Sequence, residues 1–218
     1  MGISKQQATQ NREAIISAAE KLFREKGVSA VGLNDLMEAA GFTRGGFYNH
    51  FKSKDALVAA VMDKAMQSGA ANLASVLETS LSKGRDPVDG QIEWYLSGGH
   101  RMDVAGGCPL SGFAGDVRRL DDEARTRYVE GLKAGLEWYT GLVAAPGEDP
   151  AMARARAIAM FSGLVGTLLL SRAVAGTNRR LSDEILESGR RQAYAAAVPT
   201  APKKARPGSR FDRAKARG

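Results

Sequence analysis

Apolar residues along this chain recur three and four positions apart, the spacing that lines one face of a helix. In "REAIISAAEKLFREKG", Ile15, Ala19, Leu22 and Phe23 share a face. Gly27 follows where a helix C-terminus favours glycine. "LNDLMEAAG" repeats the pattern over a shorter span, with Leu33, Leu36, Met37 and Ala40 aligned and Gly41 closing it. A third segment starts at Thr43, whose hydroxyl suits an N-cap, and carries Phe47 and Phe51 four apart. A fourth begins after Ser53, and Leu57, Val61, Ala65, Leu73, Val76, Leu77 and Leu81 extend it toward Lys83. Asp86 and Pro87 read as an N-cap followed by proline at the first helical position. Ile92, Tyr95 and Leu96 form the stripe of that helix.

"SGGHRMDVAGGCPLSGFAGDV" is glycine-rich and predicts irregular chain with one short helix after Cys108. Asp121, Asp122 and Glu123 place three acids at the start of a long helix whose buried face is Val129, Leu132, Leu136, Tyr139 and Val143. Two more helices are predicted, from Pro150 to Ala175 and from Ser182 to Ala197. No strand-like alternation and no internal repeat accompany them, so the expected fold is all-α.

Composition narrows this further. The chain has 218 residues and a net charge of +7. Seven of the basic residues, against the single acid Asp212, lie from Pro199 onward, so the rest of the chain is nearly neutral. The segment 199–218 is polar, basic and proline-containing, and is expected to stay unfolded and to attract polyanions non-specifically. One cysteine excludes an intramolecular disulfide framework. The most apolar run, Ala157 to Ser171, would rise about 22 Å as a helix, short of a bilayer core of about 30 Å. It reads as a buried helix of a cytoplasmic protein, with no membrane partner.

The chemistry concentrates in "AAGFTRGGFYNHFKSK". Helix, a turn at Gly41 and Phe42, then helix is a helix-turn-helix. With Phe47 and Phe51 turned toward Leu22, Phe23, Leu36 and Met37, the other face must carry Arg44 and Tyr48, with Gly45, Gly46 and Asn49 beside them. Two adjacent glycines each cost a helix about 1 kcal/mol. They make sense if the backbone must approach the wall of a DNA major groove. Arg44 can pair bidentately with guanine, Asn49 can meet an adenine edge or a phosphate, and Tyr48 offers a rigid ring with a hydroxyl. Thr43, His50, Lys52 and Lys54 stand where phosphate contacts are expected.

"AAGFTRGGFYNHFKSKDAL" resembles the DNA-binding end of the tetracycline-repressor (TetR/AcrR) family. The resemblance rests on Ala40, Gly41, Phe42, Thr43, Gly45, Tyr48, His50, Phe51, Ser53, Lys54, Asp55 and Leu57. "AAEKLFREKG" resembles the family's first helix. The match departs from the family at Gly32, where a hydroxyl is usual, and at Asn34, where a basic residue is common. The resemblance implies a homodimeric regulator, by default a repressor of a palindromic operator in double-stranded DNA. It also implies a larger helical domain that dimerises and takes a small-molecule effector. The expected division is a DNA-binding domain over 1–56, an effector-binding and dimerisation domain over 57–198, and the tail over 199–218.

Residues of the larger part fit those expectations. Trp94, Tyr95, His100, Met102, Cys108, Trp138, Tyr139 and Met160 are candidate liners of an effector pocket. Ala155, Ala159, Ser162, Gly163 and Gly166 form a small-residue stripe that allows close helix approach. Phe161, Leu164, Val165 and Leu168, with Ile185 and Leu186 of the last helix, are the expected dimer contacts. Cys108, in "GGCPLSG", supports an alternative reading as an electrophile- or redox-sensing repressor. Two histidines and one cysteine supply a metal site poorly, and no catalytic motif surrounds them. No enzyme, metal or cofactor is expected. A non-specific architectural DNA-binding role, suggested by the basic tail, is a further alternative.

Overall fold

The computed structural model describes residues 4–199, and beyond Pro199 the basic tail lies outside the described residues. Within them the chain is helical throughout, with no strand. The α-helices are α1 (Lys5–Lys26), α2 (Leu33–Ala39), α3 (Lys54–Ser82), α4 (Pro87–Tyr95), α5 (Gly98–Met102), α6 (Pro109–Gly112), α7 (Asp122–Val143), α8 (Pro150–Ala175) and α9 (Arg179–Ala197). Arg44–Asn49, between α2 and α3, is a 3₁₀ turn rather than the expected α-helix.

Local signals in the sequence set most of these boundaries. Gly27 ends α1 at φ 85° and Gly41 sits at φ 80°, in the left-handed region that L side chains avoid. Ser53, Asp86, Asp121 and Asp149 each accept a backbone N–H in the first turn of the helix they precede. Such caps contribute about 1 kcal/mol each. Two features are new. Gly98–Met102 forms a short helix capped by Ser97 within the stretch read as irregular. The last helix starts one turn earlier than expected, because Asn178 caps it while Ser182 turns inward. The Ser182 hydroxyl donates to the Ser171 carbonyl at 2.8 Å and receives Arg101 Nη1 at 2.7 Å.

α1, α2, the 3₁₀ turn and the first half of α3 form a small head. Its core holds Ile15, Phe23, Leu36, Met37, Phe47 and Leu57, all essentially inaccessible. The same core takes in Val61, Met62 and Ala65 of α3, and Phe113 and Ala124 from later in the chain. The boundary expected at Ala56 therefore cuts through packed side chains, because α3 serves both halves. The body is built on α7, α8 and α9, with the far end of α3 and with α4 laid against them.

Polar links join head and body, among them the ion pair of Asp63 in α3 with Arg127 of α7 at 3.2 Å. Buried Arg24 of α1 donates to the Gly107 carbonyl at 2.6 Å and pairs with Glu20 at 2.8 Å. The Val28 N–H donates to Asp116 at 3.3 Å.

α8 is apolar all round for much of its length, and its two sides have different fates. Phe161, Leu164 and Leu168, with Leu186 of α9, are buried inside this one chain, at 4 % exposure or less. They pack on α7 and α9 and are not available to a second copy, contrary to the expectation that they form a dimer face. The exposed side of α8 instead carries Ala155, Ile158, Ala159, Ser162, Gly163, Leu169 and Leu170. Periodicity alone could not separate the two sides, since both are apolar. Val165 and Ile185 are half-buried between them.

Candidate nucleic-acid interface and ligand cavity

Phe47 and Phe51 hold the 3₁₀ turn to the head. Their rings stack at 5.8 Å, and the Arg12 guanidinium covers Phe51 at 4.7 Å. This leaves Thr43, Arg44, Gly45, Asn49 and Lys52 exposed, and Tyr48 at 66 % exposure although its ring edge rests on Phe47. Gly46 and His50 are half-buried, and the His50 ring leans on Phe42 at 6.5 Å.

Neither glycine is required by the protomer. Both have ordinary negative-φ backbones. A Cβ on Gly45 would meet nothing within 4 Å, and one on Gly46 would only touch Met37 at 3.8 Å. The fold itself therefore gives no steric reason for glycine at either position.

Two expectations need correction. Thr43 occupies the N-cap position with extended backbone but makes no side-chain cap bond, so its hydroxyl remains free at the surface. Lys54 is half-buried, and its ammonium donates to the carbonyls of Val28 and Val31, both at 2.7 Å. It also sits 5.8 Å from the Phe23 ring. Its work is to tie the α1–α2 connection to the start of α3, so its ammonium is already committed within the chain.

The body contains a cavity of about 430 Å³ among α3, α4, α6, α7 and α8. Five of the eight expected pocket residues line it: Trp94, Tyr95, Cys108, Trp138 and Tyr139. The other three do not. Met160 is fully buried in the core and Met102 is 64 % exposed on the surface. His100 stands behind the wall. Its Nδ1 lies 2.7 Å from the Tyr95 carbonyl, its Nε2 accepts the Cys108 N–H at 2.9 Å, and its ring stacks on Trp94 at 4.7 Å. That geometry needs a neutral imidazole with the proton on Nδ1. Burial pushes the His100 pKa down, which favours the same form.

Sequence reasoning missed the rest of the wall. Met66 and Leu73 come from α3, and Phe161 from α8. Gly131 and Gly135, one turn apart on α7, open the space. A Cβ on Gly131 would come within 2.5 Å of the Met66 sulfur. A pair of glycines four apart inside an otherwise strong helix was the available signal.

The hydroxyls behind this wall are held as neutral phenols. Desolvation raises the pKa of both Tyr95 and Tyr139, and pushes Tyr128, which donates to the Leu110 carbonyl at 2.8 Å, up to about 12. Tyr139 receives the Gln91 side-chain amide at 3.2 Å.

The arrangement is a small helical head with one exposed face on its 3₁₀ turn, set on a larger helical body with a cavity. Residues 15–61 match the model of the family described as bacterial regulatory proteins, tetR family. Over these residues the chain carries the segment that this family's model describes. It is 45% identical over 60 residues to the HTH-type transcriptional regulator TtgR of Pseudomonas putida, covering 28% of this chain and 29% of that protein. It is 23% identical over 122 residues to the HTH-type transcriptional repressor NemR of Escherichia coli, covering 56% and 61%. The chain thus spans about three-tenths of the length of the curated relative named first.

The likeness of fold reaches further than the likeness of sequence. The crystal structure of E. coli NemR in its reduced form superposes with a TM-score of 0.69 at 18% identity, over 86% of this chain and 97% of that one. A TetR transcriptional regulator from Chloroflexus aurantiacus gives 0.70 at 23%, over 88% and 94%.

Proposed function

We propose that the protein is a homodimeric transcriptional repressor that reads a palindromic operator and is released when a small molecule fills the cavity. The observation that carries this reading is the reading face itself. Arg44, Tyr48 and Asn49 stand free beside two glycines that the fold does not need, on a turn locked by Phe47 and Phe51. Arg44 then reads a guanine edge, and Lys52 and Thr43 contact phosphates. The exposed apolar side of α8 supports pairing with a second copy, which doubles a short reading element into a two-fold one.

A continuous path supports coupling between the two sites. Trp94 and Tyr95 of the cavity wall contact His100, which accepts the Cys108 N–H. The neighbouring Gly107 carbonyl accepts Arg24 of α1. A ligand that moves this wall therefore acts on a helix of the head. Release needs only that the ligand favour one head arrangement over the other.

Selection of bound sequences from random duplexes tests the reading. The expected result is a short two-fold consensus, with Arg44→Ala losing preference at one position per half-site. Recovery of no consensus, or uniform coating of any duplex, would refute it. A second reading has one observation in its favour: Cys108 lines the cavity, so an electrophile entering it meets a thiol. In that case Cys108→Ser stays on its operator under an electrophile that releases the wild type.

A further inference from the structure

Two bonds fix the protonation state of His100. The ring is 5 % exposed, its Nδ1 lies 2.7 Å from the Tyr95 carbonyl, and its Nε2 accepts the Cys108 N–H at 2.9 Å. A proton on Nε2 would set a donor against that donor. The carbonyls nearby are already engaged. Arg172 Nη2 donates to those of His100 at 2.7 Å and Asp103 at 2.9 Å, and Arg24 donates to that of Gly107 at 2.6 Å. The ring has little room to slide, since a Cβ on Gly107 would come within 2.8 Å of Nε2. Arg24 of α1 and Arg172 of α8 bring two cations to the ring, against the anion of Asp103 at the end of α5. The Asp103 side chain is exposed and accepts the Gly106 N–H at 2.7 Å. Arg101 of α5 is bonded instead to Ser182 and Asp183 of α9. Tyr95 of α4 and Cys108, just before α6, are the other titratable groups against the ring.

What the bond to Cys108 holds is one wall of the cavity. Cys108, Pro109 and Leu110 line it, and so does Trp94, whose ring stacks on His100 at 4.7 Å. Pro109 sets α6 tightly on α3, where a Cβ on Gly69 would come within 2.8 Å of the proline ring. The face of Trp94 attracts an imidazolium. On protonation the ring therefore stays on the indole, and the Cys108 turn is what gives way. We propose that His100 is an acid-operated latch: the neutral ring holds the Cys108–Leu110 wall against α3, and protonation releases that wall and weakens binding in the cavity. Burial lowers the His100 pKa, so the latch is shut at neutral pH and opens as pH falls through a value below the usual 6.5 or so. The inference rests on the reading of the cavity as a binding site and adds a regulation of it, and its test does not depend on DNA.

Two measurements on the full chain test the latch. The chain has one cysteine, so labelling its cysteine with nitrogen-15 gives a single amide signal, that of Cys108. The fluorescence of N-phenyl-1-naphthylamine, an apolar dye without charge in this range, reports binding in the cavity. Between about pH 7.5 and about pH 5 the Cys108 amide proton is expected to move upfield with the same midpoint as the His100 ring, and the dye to bind about fivefold more weakly at the acid end. By reciprocity, saturating dye should lower the His100 midpoint. His100→Gln stays neutral, keeps an acceptor for the Cys108 N–H, and should abolish both pH dependences. An amide signal that ignores the ring titration, equal dye affinity at both ends, the same pH dependence in His100→Gln, or no dye binding at about pH 7.5 would each overturn the latch. The shared midpoint in the wild type decides even if the variant does not fold. Equal dye affinity at both ends overturns the latch and leaves the effector reading intact. A working latch in a protein that selects no operator consensus refutes the DNA reading alone.

Discussion

At the scale of single residues, the same chemical type does opposite jobs depending on what lies within 3 Å. Arg44 is free to read a partner, whereas Arg24, Arg101 and Arg156 are buried and bonded within the chain. Lys54 belongs to the second group. Lys54→Met should lower the stability of the head by about 1–3 kcal/mol, since it strips two carbonyls of a charged donor. The salt dependence of DNA binding should stay unchanged, and a shallower salt slope would restore Lys54 to the phosphate contacts.

His100 makes a pH-dependent contribution whose sign follows from its lowered pKa. The folded state holds the ring neutral, so the unfolded chain binds the proton more readily. The contribution is complete above the unfolded value near 6.5 and is lost as pH falls from there through the lower folded value. Melting midpoints should decline between about pH 7 and about pH 5, with the His100 ring titrating below about 6.5 by proton NMR. A ring that titrates above that value would contradict the neutral, Nδ1-protonated geometry.

At the scale of elements, glycine separates what the fold needs from what a partner needs. Gly45→Ala meets no obstacle in the free protein and should raise its stability by about 0.5–1 kcal/mol through reduced backbone entropy. If the turn presses on a groove wall, the same change weakens operator binding. Unchanged affinity would remove the reason given for the glycines. On α8, Gly163 faces outward with open space around it, while Leu164 beside it is fully buried. Gly163→Trp should leave the melting midpoint near that of the wild type and yield monomers in sedimentation. Leu164→Ala should cost about 2–5 kcal/mol whatever the oligomeric state. A dimer that survives Gly163→Trp would place the interface elsewhere.

At the scale of the molecule, head and body share α3 and meet again at Arg24. Arg24→Met keeps the stem of the side chain packed near Phe113 but deletes the bond to the Gly107 carbonyl. It should leave operator binding and cavity binding each intact and reduce the effect of one on the other. This is measured as the ratio of operator affinities with and without saturating cavity ligand. An unchanged ratio would mean that coupling runs by another route, through α3 or the Val28–Asp116 contact.

The sequence by itself determined whatever depends on neighbours in the chain. Caps, left-handed glycines and apolar spacing located the long helices. The motif from Ala40 to Leu57 located the exposed face of the 3₁₀ turn, because it is one short segment with its own anchors, Phe47 and Phe51. Only tertiary structure decided which apolar side of α8 is inside, since both sides have the same spacing and composition. It also decided that Lys54 is already occupied, because Val28 and Val31 lie 26 and 23 residues away in the chain. The cavity needed it most. Its walls come from five helices that meet only in the packed molecule. Such convergence is a property of the tertiary structure, and no residue type or spacing encodes it.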